Sequence, residues 1–96
     1  MLVEITTFRL AEGGDEAAFL AADRAVQALA HHQAGIVRRT TGRGTAPGAF
    51  GVVAVWWSAE EAVAAAAATA ADPATEAFLA QVDPASVEVV RLETLD

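Results

Sequence analysis

Apolar positions fall in blocks whose spacing changes along the chain. Leu2, Val3, Ile5, Phe8 and Leu10 crowd residues 2–10 and predict a strand. Gly13-Gly14 break it, and Asp15 is placed to cap a helix running from Glu16 to about Gln33. Phe19, Ala22, Val26, Leu29 and Ala30 recur there at three- and four-residue intervals, so one face is buried. Gly35 supplies the stop. IVRRTT at 36–41 predicts a second strand, and GRGTAPGA at 42–49 a mobile hairpin loop. Phe50 to Trp57 predicts a third strand. Ser58 and Glu61 form a capping box, the Ser oxygen taking the N–H of Glu61 and the Glu carboxylate reaching back to the N–H of Ser58. The helix they start runs through the alanines to about Ala71. Asp72-Pro73 opens a further helical piece anchored by Phe78, Leu79 and Val82, Pro being tolerated in a first turn. Asp83-Pro84 interrupts again, and Ser86 to Leu95 predicts a last strand.

The order βαββαβ is an α+β, ferredoxin-like plan for a single domain over 1–96: a four-stranded antiparallel sheet with helices on one face. Right-handed crossovers put both helical segments on the same side. Successive strand side chains point to opposite faces, so the neighbours Trp56 and Trp57 cannot enter the same layer. The third strand is apolar both ways: Val52, Ala54 and Trp56 on one face, Val53, Val55 and Trp57 on the other. The first strand divides into Val3 and Ile5 against Leu2 and Phe8, the fourth into Val87 and Val89 against Val90 and Leu92. A sheet with one wet face alternates apolar with polar, and this one does not. The face without helices therefore needs cover, which a second copy in a two-fold homodimer supplies.

Composition narrows the partners. A net charge of −7 argues against nucleic acid, which needs a basic stripe, and against anionic membrane surfaces. Arg38, Arg39 and Arg43 cluster, but such a run reads as a solvated edge. The absence of cysteine excludes disulfides, thiolate nucleophiles and cysteine-ligated metals. The N-terminus carries charge within its apolar run and lacks a cleavage site for a signal peptide, and AVAAAAATAA is too short to span a bilayer, so the expectation is a soluble cytoplasmic protein.

Few polar residues are placed to do chemistry. Asp23 lies at the edge of the buried helical stripe. Facing an apolar cavity it would be a raised-pKa base; otherwise it pairs with an Arg or a backbone donor. Gln33 falls within the stripe and either ties down the Gly35 turn or lines a pocket. His31 and His32 point about 100° apart on a helix and cannot chelate one ion, so no metal is expected. Glu4, on a doubly apolar strand, needs a partner that Arg91 or Arg39 could provide.

FRLAEGGDEAAFLAAD at 8–23, HHQAGIVRR at 31–39, AVWWSAEEA at 54–62 and DPATEAFLAQVDPASV at 72–87 together resemble the dimeric α/β-barrel superfamily, within it the antibiotic-biosynthesis-monooxygenase-like group. The resemblance implies face-to-face dimers, a pocket between sheet and helices, and cofactor-independent oxidation of electron-rich aromatics. It places Trp56 at the pocket and Trp57 toward the sheet–sheet interface or its rim. Thr6, Phe8, Phe19, Gln33 and Phe78 would line the pocket, with Asp23 as base. A haem-degrading branch uses an Asn on the first strand and a His on the second helix; ITTFRL and PATEAFL contain neither, so haem and other cofactors are not expected. Two functions follow: a small dimeric oxygenase-type enzyme for an aromatic compound, or a non-catalytic dimeric binding or accessory protein using the same cavity.

Overall fold

A computed structural model describes residues 1–95; Asp96, the last residue of the predicted domain, lies outside the described residues. In chain order the elements are β1 (Leu2–Arg9), α1 (Glu16–His31), β2 (Ile36–Arg43), β3 (Ala49–Trp56), α2 (Ala59–Thr69), α3 (Pro73–Ala80), a 3₁₀ turn (Pro84–Ser86) and β4 (Glu88–Glu93). The sheet order is β2-β3-β1-β4 with every neighbouring pair antiparallel, which is the ferredoxin-like plan.

Short polar side chains start the helices by taking the first free backbone donors. Asp15 accepts from the N–H of Ala17, Ser58 from Glu61 and Asp72 from Ala74. The capping box at Ser58 is only half made: the Glu61 carboxylate does not turn back to Ser58 but lies over Gly35, leaving its Oε2 buried without a hydrogen-bond partner. α1 closes at His31, before the predicted Gln33, and Gly35 with φ of +83° turns the chain into β2. There the Gly35 carbonyl accepts the N–H of Trp57.

Three boundaries differ from expectation because backbone pairing prevails over local pattern. Gly42 and Arg43 pair with Gly51 and Phe50, so β2 reaches Arg43 and the predicted 42–49 loop shrinks to a tight connection. β3 ends at Trp56, one residue early, and β4 is trimmed by the 3₁₀ turn on one side and ends at Glu93 on the other. Leu79, expected as an anchor of α3, is instead 58% exposed; Phe78 and Val82 carry the packing.

The helix-side face of the sheet divides into two halves. At one end Phe8, Phe19, Phe50 and Val82 are buried together, with Phe78, Leu10 and Leu20 packed against them. The ring centroids of Phe8–Phe19 and Phe19–Phe50 lie 5.6 and 4.6 Å apart, within the range where aromatic pairs attract. At the other end the buried set is Trp56, Ala62 and Ala65. One half is filled by rings, the other faced by methyl groups.

The opposite face carries Val3, Val55 and Leu92 in one cross-strand row and Ile5, Val53 and Val90 in the next. Leu92 and Val90 are 53% and 51% exposed. Beyond them the paired Gly42 and Gly51 leave a recess of about 300 Å³, bordered by Ile5, Thr7, Thr40 and Val53. β4 is exposed along its whole length, Val89 on the helix side included.

Candidate active site

The site follows from the difference between those halves. α2 covers the sheet end that holds Trp56, and Ala62, Ala65, Ala66 and Thr69 face that space; Ala62 and Ala65 are buried with the indole, but side chains this short do not fill the room around it. A cavity of about 160 Å³ remains between them. β3 contributes Trp56 and Ala54, β1 Glu4, β2 Arg39, and α1 Val26, Leu29 and Ala30; Gln33 and Thr75 complete the wall. A neighbouring hollow of about 180 Å³ shares Gln33 and Ala65 and is bounded by Ala34, Glu61, Ala64 and Ala68.

Two polar systems border this space. In the first, the indole N–H of Trp56 donates to Glu4 Oε1 at 3.1 Å, and Arg91 Nε donates to Glu4 Oε2 at 2.8 Å. The partner that Glu4 required is therefore Arg91, directly opposite it in the β1–β4 register. In the second, buried Arg39 donates to Asp23 Oδ1 and to Gln27 Oε1, both at 2.9 Å, and lies 5.8 Å from the centre of the Phe78 ring. Thr41 also donates to Asp23 Oδ1, while Gln27 returns a donor to the Arg39 carbonyl at 2.8 Å. A guanidinium this buried is tolerable because a carboxylate and an amide oxygen accept its hydrogen bonds.

Of the residues expected to form the site, Trp56 and Gln33 are brought together on the cavity. Gln33 also ties down the end of α1, its amide donating to the Leu29 carbonyl at 3.3 Å. Phe8, Phe19 and Phe78 are elsewhere, in the ring-packed half, where they fill space instead of lining it. Thr6 sits on the helix-side face between Val52 and Val89, away from the cavity wall. Asp23 is also off this wall; it borders a smaller cleft with Leu20, Thr41, Gly42, Arg43 and Phe50. Trp57, just past β3, is 60% exposed beside Met1 and Glu93. His31 and His32 are exposed, His31 contacting Gln27, and among the described residues no group of three or more His, Asp or Glu side chains is placed to hold a metal. Sequence reading missed Glu4, Arg39 and the alanines of α2 as wall residues. The signal for Glu4 was a charge inside an apolar strand; the alanines gave none, since a small side chain does not announce the space it leaves.

No helix among the described residues is long and apolar enough to cross a membrane. No protein-family model matches the sequence, and no curated protein matches it. Solved structures do. SnoaB, a cofactor-independent oxygenase from Streptomyces nogalater, superposes with a TM-score of 0.84 at 21% identity, over 99% of this chain and 93% of that one. A putative antibiotic biosynthesis monooxygenase from Bordetella bronchiseptica gives 0.82 at 17% identity, over 98% and 96% of the two chains. One from Nitrosomonas europaea gives 0.78 at 16% identity over the full length of both. The chain thus has the α+β, ferredoxin-like fold of the antibiotic-biosynthesis-monooxygenase-like proteins.

Proposed function

We propose that this protein is a homodimeric enzyme of the cofactor-independent monooxygenase type, oxidising an aromatic compound of which one ring lies against Trp56. The observation that carries this reading is the cavity. At about 160 Å³ it matches the roughly 150 Å³ apolar void known to accept benzene, so it holds one ring and leaves any further part of the ligand at its mouth. The alanines of α2 shield part of that ring and Trp56 borders it, while the mouth stays open, a partly desolvated setting of the kind such oxidation uses. SnoaB, which shares the fold, is a cofactor-independent oxygenase. Asp23 fits a structural part better than the base role: its Oδ1 is taken by Arg39 and Thr41, and it stands off the cavity wall. Glu4 is the carboxylate on that wall.

The dimer in this reading forms across the open sheet face, where Val53, Val90 and Leu92 are left exposed. Light scattering of the purified protein should give twice the 9.9 kDa chain mass; a stable monomer at all working concentrations rules the dimer out. For the activity, oxygen consumption is measured with hydroquinone and anthrone. Wild type should consume oxygen with at least one of them, and Trp56→Phe should lose most of that rate. A second reading, a non-catalytic binding protein, is favoured by one observation: both Glu4 oxygens already accept hydrogen bonds, which blunts it as a base. Ring binding without oxygen uptake on any substrate decides for that reading.

A further inference from the structure

We infer that Glu4 is the specificity-determining residue of this cavity and that Arg91 is its positioning residue. The inference rests on the cavity proposed above as the ligand site, but not on catalysis there. Three side chains form a chain from the sheet edge to the cavity. Arg91 on β4, 62% exposed at its side chain, holds Glu4 Oε2, and Glu4 Oε1 holds the indole N–H of Trp56. Each oxygen keeps a further lone pair, because a carboxylate has about four acceptor sites and two are used.

The remaining polar groups on the wall are occupied or neutral. Arg39 is ion-paired with Asp23 and also donates to Gln27 and Thr41, the Thr69 hydroxyl donates to the Ala65 carbonyl, and one Gln33 amide proton goes to the Leu29 carbonyl. Glu4 is the carboxylate on the wall, so it gives a ligand a charged acceptor beside Trp56. A ring carrying one hydroxyl donor completes Glu4. A ring carrying a carboxylate meets a second negative charge in a partly desolvated space, with Arg91 already engaged on the far oxygen. Selection is by the sign and direction of one hydrogen bond.

The test uses uniformly ¹⁵N-labelled Trp57→Phe protein, in which the indole N–H signal belongs to Trp56 alone. Trp57 lies off the cavity wall, so its replacement leaves the site intact. Titrations with phenol, toluene and benzoate follow that signal. Phenol should bind about tenfold more tightly than toluene, as a hydrogen bond to a charged group allows, and benzoate more weakly than either. Glu4→Gln should bring phenol and toluene within about threefold of each other and narrow the gap to benzoate. Arg91→Gln should shift the Trp56 indole signal and reduce the phenol preference, and Arg91→Lys should recover part of both. A phenol-to-toluene ratio unchanged by Glu4→Gln, or benzoate binding as well as phenol to wild type, overturns the inference even if oxygen is consumed. A Glu4-dependent ratio without oxygen uptake supports it while the oxygenase reading falls. Failure of all three probes to bind overturns both.

Discussion

Replacing Ala65 with leucine tests whether the room beside Trp56 is real. Ala65 is buried and lies at the wall shared by the two adjoining hollows. Leucine adds three carbons there, fewer than the six of a benzene ring, so the cavity of about 160 Å³ takes them without moving the sheet. At about 0.8 kcal/mol per buried carbon the upper bound on the gain is ~2.4 kcal/mol. Fixing the leucine rotamer costs about 0.5–1 kcal/mol, and a cavity open on one side buries the new atoms incompletely, leaving a net gain of about 1 kcal/mol. For a domain of this size that raises Tm by about 4–8 °C. The same substitution should abolish phenol binding, because side chain and ring compete for one space. Urea unfolding and the indole titration measure the two effects, and Ala67→Leu, on the exposed side of α2, should produce neither. A loss of more than about 1 kcal/mol would signal overpacking, and undiminished binding would place the ligand elsewhere; either result refutes the site.

Other perturbations separate structural from functional residues. Asp23→Ala should cost about 3 kcal/mol in urea unfolding, since it strands the buried Arg39 guanidinium, while leaving phenol affinity per folded molecule unchanged. Gly35→Ala should cost at least about 2 kcal/mol: the turn has φ of +83° and the new Cβ would land on the Glu61 carboxylate. Adding Glu61→Ala should return only part of that loss, because it removes the carboxylate but leaves the backbone strain and the residue-61 Cβ, 2.6 Å from the new one. Gly42→Val should leave the protomer fold intact, as its Cβ meets nothing within 4 Å, yet raise the dimer dissociation constant at least about tenfold in sedimentation experiments by filling the recess on the open face. An unaltered dimer would place that recess outside the interface.

The element order, the caps and the two-sided apolar strands were legible because each depends on residues close in sequence. Asp15, Ser58 and Asp72 start their helices as their side-chain chemistry requires. The opposite directions of Trp56 and its neighbour follow from strand geometry alone. The cavity was half legible. Of the residues expected to line a pocket, Trp56 and Gln33, on a strand end and a helical stripe, border it, whereas Phe8, Phe19 and Phe78 pack in the other half, because periodicity identifies an inward face without saying whether that face is filled. Whether four rings meet at one point, or alanines packed by an indole leave room beside it, depends on the register between elements distant in sequence. Asp23 shows the same limit: Arg39, sixteen residues away, decides its surroundings.

The position of β4 has a consequence for how the molecule is made. Among the described residues its one strand neighbour is β1, and the last cross-strand pair joins Leu2 to Glu93. During synthesis β1 waits with one edge bare until residues 88–93 have emerged, the kind of long-range closure that is slow. In that interval the β4 of another nascent copy could dock in its place, since the sequence being awaited is identical. Crowded polysomes would then favour exchange of β4 between chains, and slowing translation would reduce it.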